Sequence, residues 1–395
     1  MQQQQQQQQP LLQFAPFSSA VEAPFWHTLA DRKLDILKLD DATQPLRAYY
    51  STGHTLDEGL ALPARLCLGT GAFDVSEDQT SGIPPFTFPT MGSIKNTNTV
   101  DDFKNLDKAS FFKEEAEKVR YLVQLSRTIP EHIKLRCRFF LMYASFCSFL
   151  DIIWRAIVSG DAVTQPNLLS HFLLLTYADL KKYKFYYWFG FPALLMEPSW
   201  VVGDNGAIKG VEEVWSQNEI ESLRVNFDAY RDRNLRDGNA TYFLVNKSKS
   251  SSELSVGRLS EWDTFFNGVT EEDRILGFAD PSSLPSNPGW PLRNLLVLVH
   301  RQWNVRRIRV LCFREIQGKR DIRQSRMLVA EIPGLGDEKV RAGVVGTIVH
   351  RIDASFLGGI GYNVVECPKA VGWEKGVKGN LAPRMADLAP LMDPI

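Results

Sequence analysis

The residues whose side chains could do chemistry are scattered along this 395-residue chain. Its five cysteines lie far apart, and no two of them form a Cys-x-x-Cys pair: Cys67, Cys137, Cys147, Cys312 and Cys367. An odd number of unpaired thiols is typical of a reducing compartment and favours neither a disulfide framework nor a zinc site. No cysteine has a position at a helix N-terminus or near a basic cluster from which a lowered thiol pKa can be argued. The cysteine pattern therefore predicts no thiol catalysis.

Histidines and glycines give no catalytic pattern either. The six histidines lack metal-ligand spacing: His27, His54, His132, His171, His300 and His350. The glycines of residues 334–336 follow a proline and lack a third glycine, and those of residues 358–361 precede no convincing helix. A nucleotide site needs a glycine-rich turn between a strand and a helix. We therefore expect no catalytic residue, no cofactor and no metal in this chain.

Charge and hydropathy limit the class of partner. With 45 basic and 46 acidic residues the net charge is -1, which predicts no nucleic-acid footprint. Lys181, Lys182 and Lys184 lie among aromatic residues, so a stacking platform for single strands is an alternative. The longest apolar stretch, residues 139–153, is shorter than a membrane span and contains Asp151. Residues 1–10 form a glutamine tail that we expect to be disordered and not a signal peptide, so we expect a cytoplasmic chain.

The element around which the rest is arranged is the apolar and aromatic stretch 172–198. Residues 172–177 and 184–191 are too short and too rich in β-forming residues for helices, so we predict two strands joined as a hairpin. Upstream we predict an edge strand at residues 11–19 and an amphipathic helix from Pro24 with Phe25, Leu29 and Ile36 on one side. Strands are predicted at 46–51 and 65–73, a loop at 76–89 and a helix after residues 96–102.

The order of elements in the second half of the chain predicts a crossover connection between two strands. Ser216 and Glu219 form a capping box before a helical face that continues to Gly238. Strands are predicted at 241–245, 274–278, 307–313 and 327–332, with a helix from Pro291. Strand, helix and strand in this order predict parallel neighbours. The fold class is thus α+β (mixed α/β), with two subdomains whose mixed sheets are flanked by helices, at 11–198 and 199–333. Residues 367–395 are predicted to be a loop-like linker.

Seven stretches together resemble one family, the N-terminal domain of the autophagy ubiquitin-like-modifier-activating enzyme, and the serine pair Ser18-Ser19 is typical of a plant member. They are residues 12–19 with 25–26, 96–99, 172–182, 187–189, 287–294, 370–374 and 392–394. Two stretches depart from the family pattern, residues 123–153 and 334–366, and we interpret both as insertions. The resemblance covers nearly the whole chain.

This resemblance implies a function in recruitment. The full enzyme of the family adenylates two autophagy modifiers, holds them as thioesters and passes them to conjugating enzymes. The resemblance implies that its N-terminal domain recruits the conjugating enzymes of the lipid-linked and the protein-linked branch, in the cytoplasm and at the pre-autophagosomal structure. The chain stops before the adenylation half, so we expect neither ATP or thioester chemistry nor the family's homodimer surface. Two alternatives are a piece of a longer activating enzyme and a dominant-negative competitor for the conjugating enzyme.

Phe14, Ala15 and Pro16 match the family's Phe-Ala-Pro motif, which is associated with complexes of conjugating enzymes. The resemblance therefore implies that these three residues bind the partner. Phe14 has an alternative role as the anchor of an edge strand. Two modes of binding remain open: an extended peptide added to that edge, and a partner helix seated in a groove.

Overall fold

The structure, a computed structural model, describes residues 10–57, 59–75, 84–106, 149–235, 239–247, 253–333, 370–376 and 379–391. The described strands are, in chain order, β1 Ser19–Val21, β2 Gln44–Tyr50, β3 His54–Thr55, β4 Ala61–Leu62, β5 Leu66–Leu68, β6 Phe88–Thr97, β7 Phe172–Asp179, β8 Lys184–Leu194, β9 Val201–Val202, β10 Lys209–Gly210, β11 Tyr242–Lys247, β12 Leu254–Gly257, β13 Ile275–Ala279, β14 Arg307–Phe313, β15 Arg326–Glu331, β16 Ala370–Trp373 and β17 Arg384–Asp387. The described α-helices are α1 Ala23–Arg32, α2 Val100–Asn105, α3 Phe149–Ser159, α4 Asp161–Thr164, α5 Val211–Val214, α6 Gln217–Asn234, α7 Trp262–Phe265 and α8 Leu292–Trp303. The mixed α and β class is confirmed.

The first sheet has the order β1-β5-β2-β6-β7-β8-β16, and β17 also pairs with β8. The predicted hairpin is confirmed, because β7 and β8 pair antiparallel from Leu173 and Gly190 to Asp179 and Lys184. Phe172, Leu174, Phe185 and Phe189 are buried on it. Strand β6 lies parallel to β7 on the other side. The aromatic stretch therefore supplies the middle of this sheet.

The second sheet has the order β10-β15-β14-β13-β11-β12, with β9 also on β15. The predicted crossover is confirmed, because β13 and β14 are parallel neighbours joined through α8. The predicted capping box is also present: the Ser216 side chain accepts from the N–H of Glu219 at 3.4 Å, and the Glu219 carboxylate accepts from the N–H of Ser216 at 2.8 Å. Two hydrophobic clusters each contain residues of both sheets.

The C-terminal segment was predicted to be loop-like, and this is wrong for two of its stretches. Strand β16 pairs with β8 around Leu194, and β17 pairs with β8 from Lys184 to Tyr187. Both add to the edge that the hairpin would otherwise expose. Glu374, after β16, fixes them to the start of the chain, because its carboxylate accepts from the N–H and the hydroxyl of Ser19 at 2.8 and 2.6 Å.

Strand β6 falls partly in the predicted loop 76–89 and was otherwise not predicted. It contains Pro89 and Gly92, two residues that argue against a central strand. Its polar residues are buried but satisfied: Thr90 donates to Ser170 O at 2.9 Å, and Ser93 lies 3.0 Å from the ring of His171. These partners lie about 80 positions away, so the local sequence does not show that the polar residues of the strand can be buried.

Two smaller corrections concern the first helix and the first sheet. Ile36 was predicted on the buried face of the first helix and is 60% exposed. The backbone widens into a π-helical turn over Lys33–Leu37, which adds a residue per turn and buries Leu37 instead. The strand predicted at 65–73 is limited to β5, followed by a 3-10 turn at Thr70–Phe73.

Several predictions fall partly or wholly outside the described residues. Residues 123–153 were interpreted as an insertion, and the structure describes only their end. There, helix α3 covers Phe149–Ser159 and Ile153 is buried. The interpretation of 334–366, the helical face around residues 112–122, the end of a helix at Gly238 and the glutamine tail through residue 9 all lie outside. The predicted limits of the subdomains and linkers stay predictions.

Candidate functional site

The segment that carries the three predicted site residues runs from the second sheet to the first. At its start, Leu12 donates its N–H to Trp200 O at 3.0 Å, and Pro10 O accepts from Val202 at 3.0 Å. This is a short pairing on the edge of β9. From there the chain crosses to β1, which pairs with β5. The predicted edge strand over 11–19 is therefore wrong for its middle, which is an extended connection between two sheets.

The structure places Phe14, Ala15 and Pro16 on that connection with three different exposures. Ala15 is 6% exposed, and its N–H donates to Pro288 O at 2.8 Å. Phe14 is half-buried and Pro16 is exposed. The buried middle residue fixes the backbone, so its two neighbours are held in place at the surface.

Aromatic rings and one arginine pack against the side chains of Phe14 and Phe17 in this segment. The ring of Phe17 packs on Phe191 of β8 with centroids 4.6 Å apart, and Phe191 packs on Trp290 at 4.7 Å. The guanidinium of Arg293, in the first turn of α8, lies 5.2 Å from the Phe14 ring and 5.6 Å from the Phe17 ring. Aromatic and cation–π contacts of this kind contribute about 0.5–2 kcal/mol each.

The loop that receives Ala15 is organised by one buried carboxylate. Asp280 accepts from the N–H of Ser282 at 2.9 Å, from the N–H of Gly289 at 2.8 Å and from Arg314 at 2.9 and 3.0 Å. Asp280 and Arg314 are 0% and 3% exposed. Burial raises the pKa of Asp280, although Arg314 and the two N–H donors act in the opposite direction. This network fixes both ends of the turn that presents Pro288.

Between the segment and the loop lies a cleft of about 330 Å³. Pro16, Phe17, Pro63, Leu284 and Trp290 are among the residues that line it. Leu284 is 39% exposed although it is apolar. A cleft of this size and lining accepts an apolar side chain or a short peptide. We call the three residues Phe14, Ala15 and Pro16 together with this cleft the Phe-Ala-Pro surface.

Sequence reasoning identified the Phe-Ala-Pro residues but missed Asp280, Trp290 and Arg293 as their supports. A signal was present, because residues 287–294 carry part of the family resemblance. Their role depends on the meeting of residues 14–17 with residues 288–293, more than 260 positions later, which local patterns do not contain.

The residues with ordinary catalytic chemistry do not assemble into a site in the part of the chain that the structure describes. No cluster of three metal-ligating side chains occurs among those residues. Burial raises the pKa of the Cys67 thiol and of the Cys312 thiol, so neither is an activated thiolate. Burial lowers the pKa of His171 to about 4. Within the described ranges, no helix has the length and apolar character needed to cross a membrane.

The lysines of the hairpin turn were the basis of the nucleic-acid alternative. Lys182 lies 3.7 Å from Asp179, and Lys184 lies 3.3 Å from Asp387 of β17. Both therefore pair with carboxylates of their own sheet, which weakens the case for a cationic platform.

Comparison with solved structures shows the same fold. The crystal structure of the Kluyveromyces marxianus Atg7NTD matches with a TM-score of 0.55 and 21% identity, and covers 96% of this chain and 99% of that chain. The Kluyveromyces marxianus Atg7NTD-Atg10 complex matches with a TM-score of 0.54 and 19% identity, and covers 97% and 99%.

Sequence comparison identifies the family. The ubiquitin-like modifier-activating enzyme ATG7 of Gallus gallus is 36% identical over 389 residues, which are 97% of this chain and 44% of that protein. The Homo sapiens enzyme of the same name is 34% identical over 391 residues, again 97% and 44%. The chain thus spans less than half the length of these curated relatives. A family model, the ubiquitin-like modifier-activating enzyme ATG7 N-terminus, matches residues 12–392. The chain therefore belongs to the family of ATG7 N-terminal regions, as its motifs predicted.

Proposed function

We propose that this chain recruits autophagy conjugating enzymes through the Phe-Ala-Pro surface. The observation that carries the proposal is the arrangement of the three residues: Ala15 is buried and hydrogen-bonded, Phe14 is half-buried, and Pro16 is exposed and lines an apolar cleft. A backbone held in this way loses little conformational entropy when a partner binds, because its ordering is already complete in the free protein.

The hydrogen bonds favour one of the two binding modes. A partner strand would need free backbone donors along the segment. The N–H of Ala15 is already donated to Pro288 O, and Pro16 has no N–H. Successive N–H groups of an extended segment point to opposite sides, so one side is already paired at Ala15 and the other side has no donor at Pro16. The cleft beside Pro16 instead offers room for a side chain from a partner helix or turn.

The chemical class of the partner follows from the family and from a neighbour. One structure of the same fold is a complex with Atg10. By extension we propose that this chain binds conjugating enzymes of both the protein-linked and the lipid-linked branch, in the cytoplasm and at the pre-autophagosomal structure. In this proposal the chain contributes position and no bond-making chemistry.

A second proposal concerns the activity of the longer relatives. They are activating enzymes of more than twice the matched length. We propose that in a polypeptide that also contains an adenylation part, this region holds the conjugating enzyme near the thioester. Alone, the same region would compete for the conjugating enzyme. Addition of the chain to a conjugation reaction that contains full-length enzyme tests the competitor role, because a competitor lowers the rate.

Isothermal calorimetry with a purified conjugating enzyme of the Atg10 type tests the proposal. We expect a dissociation constant in the micromolar range or tighter, about -8 kcal/mol. Hydrogen exchange of the same complex should show protection of residues 12–18 and 281–290. A folded chain that binds neither the Atg10 type nor the lipid-branch enzyme would refute recruitment.

A further inference from the structure

Arg293 is a half-buried positive charge beside the Phe-Ala-Pro surface. Its guanidinium rests on the rings of Phe14 and Phe17, at 5.2 and 5.6 Å. Among the described residues it has neither a hydrogen bond nor an ion pair with a carboxylate. The side chain is half-buried, and burial lowers its pKa to about 10. A partly desolvated cation without a counter-charge is costly, and proteins seldom keep one.

Two fully buried arginines packed near the second sheet show the usual arrangement. Arg231 lies 2.7 Å from Glu315 and 2.6 Å from Asp228, and Arg314 lies 2.9 Å from Asp280. Each of these two guanidinium groups therefore has its carboxylate within the chain. Arg293 differs from them because it has no carboxylate partner among the described residues.

Helix stability does not explain Arg293. It lies in the first turn of α8, where the positive end of the helix dipole disfavours a cation. The N–H groups of Leu292 and Arg293 already donate to Gly289 O and Trp290 O. The guanidinium, and not these two backbone N–H groups, is therefore available to bind a carboxylate.

We propose that Arg293 is a carboxylate-binding subsite of the Phe-Ala-Pro surface, and that it pairs with an Asp or Glu side chain of the bound conjugating enzyme. Phe17 connects the two parts, because its ring lies under Arg293 and also lines the apolar cleft. The matching partner is an acidic peptide segment with one apolar side chain beside the carboxylate. The planar guanidinium gives a carboxylate two parallel hydrogen bonds, and stacking on two rings holds it in a fixed orientation. This inference rests on the proposed function and specifies its partner chemistry.

The test is a set of double-substitution cycles by calorimetry. The probe is a conjugating enzyme of the Atg10 type, intact and in versions in which one exposed Asp or Glu at a time is changed to its amide. Each version is titrated into the wild-type chain, Arg293→Met and Arg293→Lys. Arg293→Met keeps the aliphatic packing and removes the charge. Arg301→Met, exposed near the other end of α8, is the matched control.

We expect Arg293→Met to weaken binding about tenfold and Arg301→Met to leave it unchanged. One acidic-to-amide version should bind the wild type about tenfold more weakly and bind Arg293→Met with no further loss. Arg293→Lys should restore part of the affinity, because it keeps the charge but not the paired hydrogen bonds.

Two results overturn the inference while leaving recruitment intact. One is tight binding to Arg293→Met. The other is a loss with Arg293→Met that adds independently to the loss of every amide version, because Arg293 would then act only as a clamp on Phe14 and Phe17. Absence of binding to the folded wild type refutes the proposed function itself, so the two failures are distinguishable. Thermal melting of each variant confirms folding.

Discussion

Replacement of Asp280 by alanine tests the network that holds the candidate site. Among the described residues Asp280 is the carboxylate partner of Arg314, whose side chain is 3% exposed, and the substitution removes it together with the acceptor for the N–H groups of Ser282 and Gly289. The same loop places Pro288 O under Ala15. One substitution therefore acts on stability and on the surface proposed to bind the partner.

The expected cost follows from the burial of the pair. Breaking a buried ion pair by removal of one partner costs about 3–5 kcal/mol, because the remaining charge is left uncompensated. Each of the two orphaned N–H groups adds about 1–3 kcal/mol where water does not reach it. We expect a loss of at least about 4 kcal/mol in the free energy of unfolding. This is a large share of the roughly 5–15 kcal/mol that stabilises a native protein.

Urea denaturation followed by tryptophan fluorescence measures the change. The control is Asp57→Ala, which breaks an ion pair to Lys319 whose side chains are 85% and 58% exposed, and we expect it to cost under about 0.5 kcal/mol. The double substitution Asp280→Leu with Arg314→Met should be less destabilised than Asp280→Ala, because it removes both charges. A loss below about 1 kcal/mol for Asp280→Ala would refute the assignment of Asp280 as the organiser of the loop.

Three further predictions concern the elements behind the site. Ser216→Ala should lower the free energy of unfolding by about 1 kcal/mol in chemical denaturation, because it removes the cap of α6. The hydrogen bond from Lys247 holds the pKa of Glu219 at about 2, below its ordinary value of 4.5. The Glu219 carboxylate therefore contributes its full stability above about pH 5, and this contribution is lost as the pH falls towards 2. Glu219→Gln should flatten that part of the stability curve, and an unchanged slope would contradict the assignment. Gly277→Ala should cost about 1–3 kcal/mol in thermal unfolding, because its Cβ would lie 2.2 Å from the Phe243 ring, and a neutral result would exclude that close approach.

The parts of the fold that the sequence predicts are those with a strong local signal. The hairpin β7-β8 is dense in apolar and aromatic residues, and the capping box at Ser216 is complete within four residues. The crossover through α8 follows from strand, helix and strand in order, with Pro291 beside the first helical residue. These features needed no knowledge of distant contacts.

The missed parts depend on partners far away in the chain. Strand β6 has a proline, a glycine and polar residues; it pairs with β2 about 45 positions earlier and with β7 about 80 positions later, where the Thr90 hydroxyl also donates. Strands β16 and β17 are four residues each, and they gain their place by pairing with β8, nearly 200 positions earlier. Short segments of this kind have no periodicity to detect.

The candidate site also has a part that the sequence predicts and a part that it does not. The family resemblance identified Phe14, Ala15 and Pro16, and their role stays a prediction. It did not indicate that Ala15 is buried against Pro288 or that Arg293 covers Phe14. Such contacts depend on how the loop from Asp280 meets the start of the chain, which only the folded arrangement defines.

Calorimetry of the Phe14→Ala and Pro16→Ala double variant against a conjugating enzyme tests recruitment through this surface most directly. The backbone bond of Ala15 remains in this variant, and Val225→Ala, exposed on α6, is the matched control. We predict that the double variant binds at least tenfold more weakly than the wild type, about 1.4 kcal/mol, while the control binds as the wild type does. Equal affinity of the double variant and the wild type, with both folded, would contradict recruitment through the Phe-Ala-Pro surface.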